Sequence, residues 1–254
     1  MSITLNEKTW AEEAINTLEL GNRPSETLSR IAKYYLYCGK TPKETRKLLD
    51  DFLLMCEPNV SLVIWEERLD NAMKYALKHP IIILDPIHIT ENEINTIKAV
   101  QGVQAQRLAF TLLCVAKYNK IINANNEYWV NTPDSELMRM ANINTSIRRQ
   151  SILFSKLRDA GLIRFSKNVD SLSVQVLFCS DGKTIVEIKD YRNLGYQYLK
   201  LIGGKDNYYV CQNCGMTFKS SAKTGRPPKY CDACASKIRT KQNVDSVMRL
   251  RMRS

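Results

Sequence analysis

Near its C-terminus the sequence carries two CxxC pairs, Cys211 with Cys214 and Cys231 with Cys234, separated by sixteen residues. This spacing lies in the range of zinc sites that have four cysteine ligands. Each CxxC turn can place two thiolates on one edge of a metal, and two such turns complete a tetrahedron with no open position. We therefore predict a structural Zn²⁺ site rather than a catalytic one. Two disulfides or four unrelated thiols are the alternatives.

The residues around these pairs indicate a small module over residues 205–254. Gly215 suits a tight turn after the first pair, 217–219 and 229–230 are predicted as short strands, and 235–242 has no helix breaker. A turn, a hairpin and a helix that starts on the second pair together resemble a treble-clef zinc finger. A zinc ribbon, which has a strand in place of that helix, is the alternative. Gly203 and Gly204 are the predicted linker before the module.

Positive charge is concentrated in the same part of the chain. The net charge of the 254 residues is +11, and residues 205–254 contain eleven Lys or Arg against three Asp. Such a basic segment commonly binds nucleic-acid phosphates, whereas a solvated, solubilising tail is the alternative. The basic residues expected to contact nucleic acid here are Lys219, Lys223, Arg226, Lys229, Lys237, Arg239 and Lys241.

The composition predicts a protein of the reducing cytoplasm. The chain is 44% hydrophobic, has no apolar run of membrane-spanning length and lacks the pattern of a signal peptide. Its other cysteines have no common spacing and lie among apolar residues, which predicts buried free thiols. These cysteines are Cys38, Cys56, Cys114 and Cys179.

Residues 1–80 are predicted to form a helical bundle. Apolar residues recur at helical spacing, one helix is expected over 10–20, and Thr41, Pro42 and Glu44 form the capping signature of another. Residues 81–102 are predicted to be a junction. In it, Ile81–Leu84 is expected to be a short buried strand or linker anchor, and Thr90 is expected to cap a helix.

Residues 103–202 show a second pattern, which continues into a strand over 184–188 and a helix over 190–199. Its earlier part is predicted as a helix over 104–121, a strand over 127–131, helices over 136–141 and 145–160, and strands over 162–166 and 172–178. The stretch from Phe154 to Phe165 ends a helix in Leu-x-x-x-Gly-Leu-Ile. This order and this stretch resemble a winged helix-turn-helix domain. The expected fold class is mainly α with small β: a helical bundle, a winged helix and a zinc finger.

The winged-helix resemblance implies which residues would meet nucleic acid. The second helix of such a motif presents its N-terminal residues to the DNA major groove. The implied contacts are Thr145, Ser146, Arg148, Arg149 and Ile152, with Lys156, Arg164 and Lys167 holding phosphates. Many winged helices bind proteins instead, so that reading stays open.

The sequence argues against catalysis. Its two histidines, His79 and His88, lie far from the cysteine pairs, although HNH-type treble-clef nucleases need histidines there. The segment His88-Ile-Thr-Glu91 is one residue too long for the zinc-deaminase pattern, and no glycine-rich phosphate loop is present. A metal-dependent nuclease or primase is the remaining enzymatic alternative.

The leading hypothesis is a non-enzymatic nucleic-acid-binding protein. The combination of domains resembles uncharacterised phage or mobile-element proteins, which implies duplex DNA as partner and a role in transcription regulation or replication. The alternative is a protein that modulates or inhibits a host nucleic-acid machine such as a polymerase, a replisome or an RNA-guided nuclease. RNA binding ranks third, because no RRM or KH signature is present.

Overall fold

The computed structural model describes residues 3–166, 173–203, 207–220 and 226–251. The chain divides into two compact units, Met1–Pro86 and Ile87–Ser254. Helices predominate, and the strands form small antiparallel sheets, as the sequence predicted at this level. The cysteine module belongs to the second unit.

Over its described residues, the first unit consists of four helices. These are α1 (Glu7–Thr17), α2 (Pro24–Tyr37), α3 (Pro42–Cys56) and α4 (Leu62–Lys78). Apolar side chains at helical spacing on α2, α3 and α4 form the core, with Leu28, Phe52 and Leu69 fully buried. The predicted capping box of α3 is confirmed, because Thr41 and Glu44 bond reciprocally. The predicted helix over 10–20 is displaced: α1 ends when Leu18 takes a left-handed conformation (φ 52°), before Gly21 is reached.

The ends of the first unit are joined by the residues around Glu7. The Glu7 carboxylate is buried and accepts bonds from Lys33 Nζ at 3.0 Å and from the Ile82 N–H at 2.9 Å. The Glu7 N–H donates to the Ile82 carbonyl at 2.8 Å. The expectation of a buried strand over 81–84 was wrong, because Ile83 is 45% exposed and forms only an isolated bridge with Asn6. Its neighbours act as an anchor by bonding the segment before α1.

The second unit begins with a strand that the sequence analysis missed. Its elements are β1 (Ile87–Thr90), α5 (Glu91–Lys98), α6 (Val103–Ile122), β2 (Trp129–Val130), α7 (Asp134–Met140), α8 (Ile147–Asp159), β3 (Ile163–Phe165), β4 (Val174–Val176), β5 (Thr184–Ile188), α9 (Leu194–Leu201), β6 (Tyr208–Val210), β7 (Thr217–Lys219) and α10 (Asp232–Arg251). Strand β1 pairs antiparallel with β5, from Ile87 opposite Ile188 to Thr90 opposite Thr184. Because β5 is distant from β1 in the chain, no local hairpin signal in the sequence predicts this pairing.

Helix α6 is the centre of the second unit. Its middle is buried on every side, and Leu108, Phe110 and Leu112 are fully inaccessible. Helices α5, α7, α8 and α9 and strands β1, β2 and β4 all contact it. A helix that is apolar all round must be covered all round, which explains why so many short elements surround it.

Helix α8 contacts β3, an edge strand of a three-stranded antiparallel sheet of order β2-β4-β3. Leu153, Phe154 and Leu157 fix one side of α8 in the core. Gly161, in a left-handed conformation (φ 72°), ends α8 and turns the chain into β3. The turn predicted between β3 and β4, over 168–171, lies outside the described residues.

Helix α9 starts later than predicted. The segment from Asp190 to Asn193 is not helical, because Asn193 has a left-handed backbone (φ 54°) immediately before Leu194. The side chain of Arg192 binds the Asp190 carboxylate within that segment. Of the four thiols predicted to be buried, only Cys114 is buried, while Cys56 and Cys179 are partly buried and Cys38 is exposed.

Candidate metal centre and basic helix

The first cysteine pair lies in the turn of a β-hairpin. Strand β6 leads into Cys211 and pairs antiparallel with β7, with Tyr209 opposite Phe218. The turn is closed by bonds from the Gly215 N–H to the Cys211 carbonyl (2.9 Å) and from the Cys211 N–H to the Met216 carbonyl (3.0 Å). Gly215 has φ 71°, a conformation that favours glycine. The tight turn predicted at Gly215 is therefore present. The strand expected over 229–230 is absent, and β6 pairs with β7 in its place.

The second cysteine pair lies at the start of α10. This helix begins at Asp232, so Cys231 immediately precedes it and Cys234 lies in its first turn. The Ala235 N–H donates to the Cys231 carbonyl at 2.8 Å, and the Gln212 N–H donates to the Lys229 carbonyl at 2.9 Å. The second of these bonds ties the two cysteine segments together. A helix, not a strand, therefore follows the second pair.

These elements bring the four sulfur atoms into one cluster. All four Sγ atoms lie within 4.8 Å of one another, and those of Cys214 and Cys231 are 3.8 Å apart. A tetrahedron with Zn–S bonds of about 2.3 Å has edges of about 3.8 Å, so the spacing suits a tetrahedral metal ion. Three of the four cysteines are buried, and Cys214 is partly exposed. The four cysteines are thus positioned to bind a metal ion.

Polar groups around the cluster favour thiolate at one sulfur. Burial by itself raises the pKa of Cys211, but backbone hydrogen bonds from Cys231, Cys214 and Asn213 outweigh burial and lower the pKa to about 6. Burial raises the pKa of Cys214 to about 12, and hydrogen bonds with the Cys211 and Cys234 side chains also raise it. A divalent cation would favour the thiolate at both residues, since its charge stabilises every coordinated thiolate. The protein's own hydrogen bonds therefore favour the thiolate form of Cys211 over that of Cys214.

The hairpin of the cluster packs on the N-terminal end of α9. The Arg192 guanidinium donates to the Cys214 carbonyl, and Asn193 Nδ2 donates to the Thr217 carbonyl at 2.9 Å. The rings of Tyr196 and Tyr208 lie 5.4 Å apart. The sequence predicted a module separated by two glycines, whereas the hairpin directly contacts the helix before them.

The same end of α9 also contacts the turn between α7 and α8. Asn142, which has φ 56°, donates from Nδ2 to Asn193 Oδ1 at 2.8 Å and accepts from the Tyr196 N–H at 3.1 Å. A Cβ on Gly195 would come 1.9 Å from the Ala141 carbonyl oxygen, so only glycine fits there. Asn193 thus links the α7–α8 turn to the hairpin of the cysteine cluster. Sequence analysis missed this link, because Asn193 lay inside a predicted helix.

The residues predicted to meet nucleic acid on α8 are on its accessible side or at its start. Ser146 is the N-cap residue, Thr145 is half-buried, and Arg148, Arg149 and Lys156 are exposed. Ile152 is 48% exposed. Ile147, a large apolar residue that was not among the predicted contacts, is 81% exposed.

The remaining predicted contacts are distributed over the hairpins and α10. Arg164 on β3 bonds Gln175 Oε1 and lies 5.9 Å from the centre of the Trp129 ring. The exposed basic residues of the cysteine module are Lys219, Arg226, Lys229, Lys237 and Arg239. Lys167 and Lys223 lie outside the described residues, as does the side chain of Lys241.

No protein-family model, no curated protein and no solved structure matches this chain. Among the described residues, no helix is long and apolar enough to cross a membrane.

Proposed function

We propose that this chain is a non-enzymatic protein that binds duplex DNA, with residues 103–202 acting as a winged helix-turn-helix domain. One observation carries the proposal: α8 follows α7 across a short turn, leads into the β2-β4-β3 sheet, and exposes Arg148 and Arg149 on the side away from the core. In a helix-turn-helix motif this second helix enters the major groove. Arginine there can bind guanine or phosphate bidentately.

The proposed contacts divide into two kinds. Side chains near the start of α8, including Thr145 and Ser146, would reach base edges or nearby phosphates. Lys156 and Arg164 would hold the backbone, and Arg164 is already oriented by Gln175 and the Trp129 ring. Phosphate contacts fix the position of the protein and do not specify sequence.

The cysteine cluster would act as a treble-clef zinc finger in this protein. Four thiolates at tetrahedral spacing suit Zn²⁺, and a helix after the second pair favours the treble clef over the ribbon. When bound, Zn²⁺ would supply the cross-link that a module of this size needs to fold. The exposed lysines and arginines of the module would add phosphate contacts, and two weak modules on one duplex raise the overall affinity. The domain combination supports a role in transcription regulation or replication of a phage or mobile element.

The test is the affinity of the zinc-loaded full chain for duplex DNA over a range of salt concentrations. Each phosphate contact contributes about −0.9 to the slope of log K against log salt, so we expect a steep fall. Replacing Arg148→Ala together with Arg149→Ala should weaken binding about tenfold or more, since a good bidentate contact contributes about 1–3 kcal/mol.

The matched control removes the same charge from the first unit. Arg23→Ala with Arg68→Ala should change the affinity by less than about threefold, because neither arginine belongs to a proposed DNA-binding module and salt screens unspecific charge effects. Equal effects from both pairs of substitutions would show that α8 is not the recognition helix. The absence of duplex binding at physiological salt would reject the proposal.

A second candidate function, binding to a host protein, is favoured by the first unit. Val63 and Ile64, at the start of α4, are 80% and 78% exposed. Adjacent exposed apolar side chains of this size suit contact with another protein. Recovery of one stoichiometric protein partner that is lost in Val63→Ser with Ile64→Ser, together with no DNA binding, would favour this function.

A further inference from the structure

The start and the outward side of α8 together combine positive charge with exposed apolar groups. Arg148 and Ile152 are one helical turn apart, on the side opposite the buried Leu153 and Leu157. Ile147, at the first helical position, is 81% exposed, and Ile152 is 48% exposed. Exposed isoleucines of this size would gain free energy by contacting an apolar group of a partner.

The charge of α8 restricts what that apolar group belongs to. Along the helix lie Arg148, Arg149, Lys156 and Arg158, against one acid, Asp159. Asp159 is paired with Arg158 at 2.8 Å. The exposed isoleucines therefore lie on a strongly cationic surface, which favours an anionic partner. A purely apolar protein surface would have to desolvate these arginines.

DNA offers an apolar group inside a polyanion. In the major groove this group is the thymine C5-methyl, and the other base edges there present donors and acceptors. Ser151, which lies between the two isoleucines, already uses its hydroxyl on the Ile147 carbonyl at 3.2 Å. With that hydroxyl occupied, the large exposed side chains in this part of the surface are Arg148 and the two isoleucines.

We propose that Ile147 and Ile152 read thymine C5-methyl groups, so that the chain prefers duplexes with thymines in the bound major groove. This inference rests on the proposed function and deepens it. It adds a residue, Ile147, that the arginine-based interpretation of α8 left without a role. Arg148 lies between the two isoleucines and would contact a guanine or phosphate beside those thymines.

The first part of the test modifies the DNA and keeps the wild-type protein. The zinc-loaded full chain selects duplexes from a random library, and the enriched duplexes are then synthesised with either thymine or uracil at every thymine position. Uracil removes the methyl and keeps charge and base pairing. Wild-type affinity should fall about fourfold for one methyl contact and about fifteenfold for two.

The protein variants locate the effect. In Ile147→Ala with Ile152→Ala the thymine-to-uracil ratio of affinities should fall to about one. The matched control is Ile121→Ala, on α6, because Ile121 is 52% exposed and lies on another helix. That variant should keep the wild-type ratio.

The outcomes separate this inference from the proposed function. Salt-steep binding with equal affinity for thymine and uracil duplexes overturns the methyl inference and leaves DNA binding standing. A ratio that survives the double isoleucine substitution also overturns it, because the methyls are then read elsewhere. Absence of binding to any duplex removes both. The comparison of thymine with uracil in wild type remains decisive even if an isoleucine variant fails to fold.

Discussion

At the scale of single residues, the buried carboxylate of Glu93 organises the second unit. It accepts bonds from Lys117 Nζ (2.8 Å) on α6, from the Thr90 N–H (2.8 Å) and from the Ser180 N–H (3.0 Å). Its side chain is fully inaccessible. A buried charge is tolerated when each of its lone pairs has a donor, and here the donors come from three separate parts of the chain.

Removing this carboxylate should be costly. Glu93→Ala leaves the partly buried Lys117 ammonium without its carboxylate and the Thr90 and Ser180 N–H groups without their acceptor, and we expect it to lower the free energy of unfolding by about 3–5 kcal/mol. Urea unfolding followed by circular dichroism measures the change. The control is Glu91→Ala, an exposed acid in the same helical turn, for which we expect less than about 1 kcal/mol. Similar losses in the two variants would mean that Glu93 stabilises the protein only through its negative charge near the N-terminal end of α5.

At the scale of elements, the N-terminal end of α9 connects two parts of the second unit. Arg192 and Asn193 bind carbonyls of the cysteine hairpin, and Asn193 also binds Asn142 of the α7–α8 turn. From the sequence, Cys214→Ser is expected to unfold the chain from about residue 205 and to leave the preceding domain intact. The contacts of Asn193 extend the expected effect to the start of α9.

Hydrogen exchange measures how far this effect spreads. In Cys214→Ser we expect lost protection throughout β6, β7 and the start of α10, and weakened protection from Leu194 to Gln197, because metal-dependent modules unfold without their metal. Helix α6 should stay protected. Cys38→Ser, which replaces an exposed thiol of the first unit, is the control and should change neither region. Full protection of the hairpin in Cys214→Ser would show that the module does not depend on its metal.

Local signals explain which elements could be predicted. The capping boxes at Thr41 and Thr90 and the glycine turns at Gly161 and Gly215 depend on neighbours within a few residues, and the structure has all four. The spacing of the two CxxC pairs likewise predicted that the four sulfur atoms lie together. The pairing of strand β1 and the bridging role of Asn193 depend on distant parts of the chain. Side-chain periodicity carries no information about such partners, so these features emerged only from the structure.

At the scale of the whole molecule, the division between the two units at Pro86 falls within residues 81–102, the segment that the sequence predicted as a junction. Residues beyond 80 bond the segment before α1: the Ile82 N–H binds the Glu7 carboxylate, and the Leu84 N–H binds the Leu5 carbonyl at 2.8 Å. Breaking the Ile82 bond leaves a buried carboxylate short of a donor. The first unit therefore needs these residues for its own stability.

Two fragments distinguish the boundaries. A fragment of residues 1–86 should unfold cooperatively, and one of residues 1–80 should be less stable by about 2–4 kcal/mol, since it loses at least two buried hydrogen bonds, one of them to a charged group. Thermal unfolding of both fragments, followed by circular dichroism, makes the comparison. A 1–86 fragment carrying Lys78→Ala, a change at an exposed position of α4, is the control. Equal stability of the two fragments would place the boundary at residue 80.

The β1–β5 sheet also bears on how the protein is made. Thr90 pairs with Thr184, so β1 leaves the ribosome long before its partner exists. At about 5–20 residues per second the interval is of the order of ten seconds, whereas a capped helix forms within about a microsecond. The capping box between Thr90 and Glu93 is local and can hold the end of β1 during that interval. Nascent chains of the second unit would therefore expose an unpaired strand edge until residue 188 emerges, and that interval is when a chaperone would act on them.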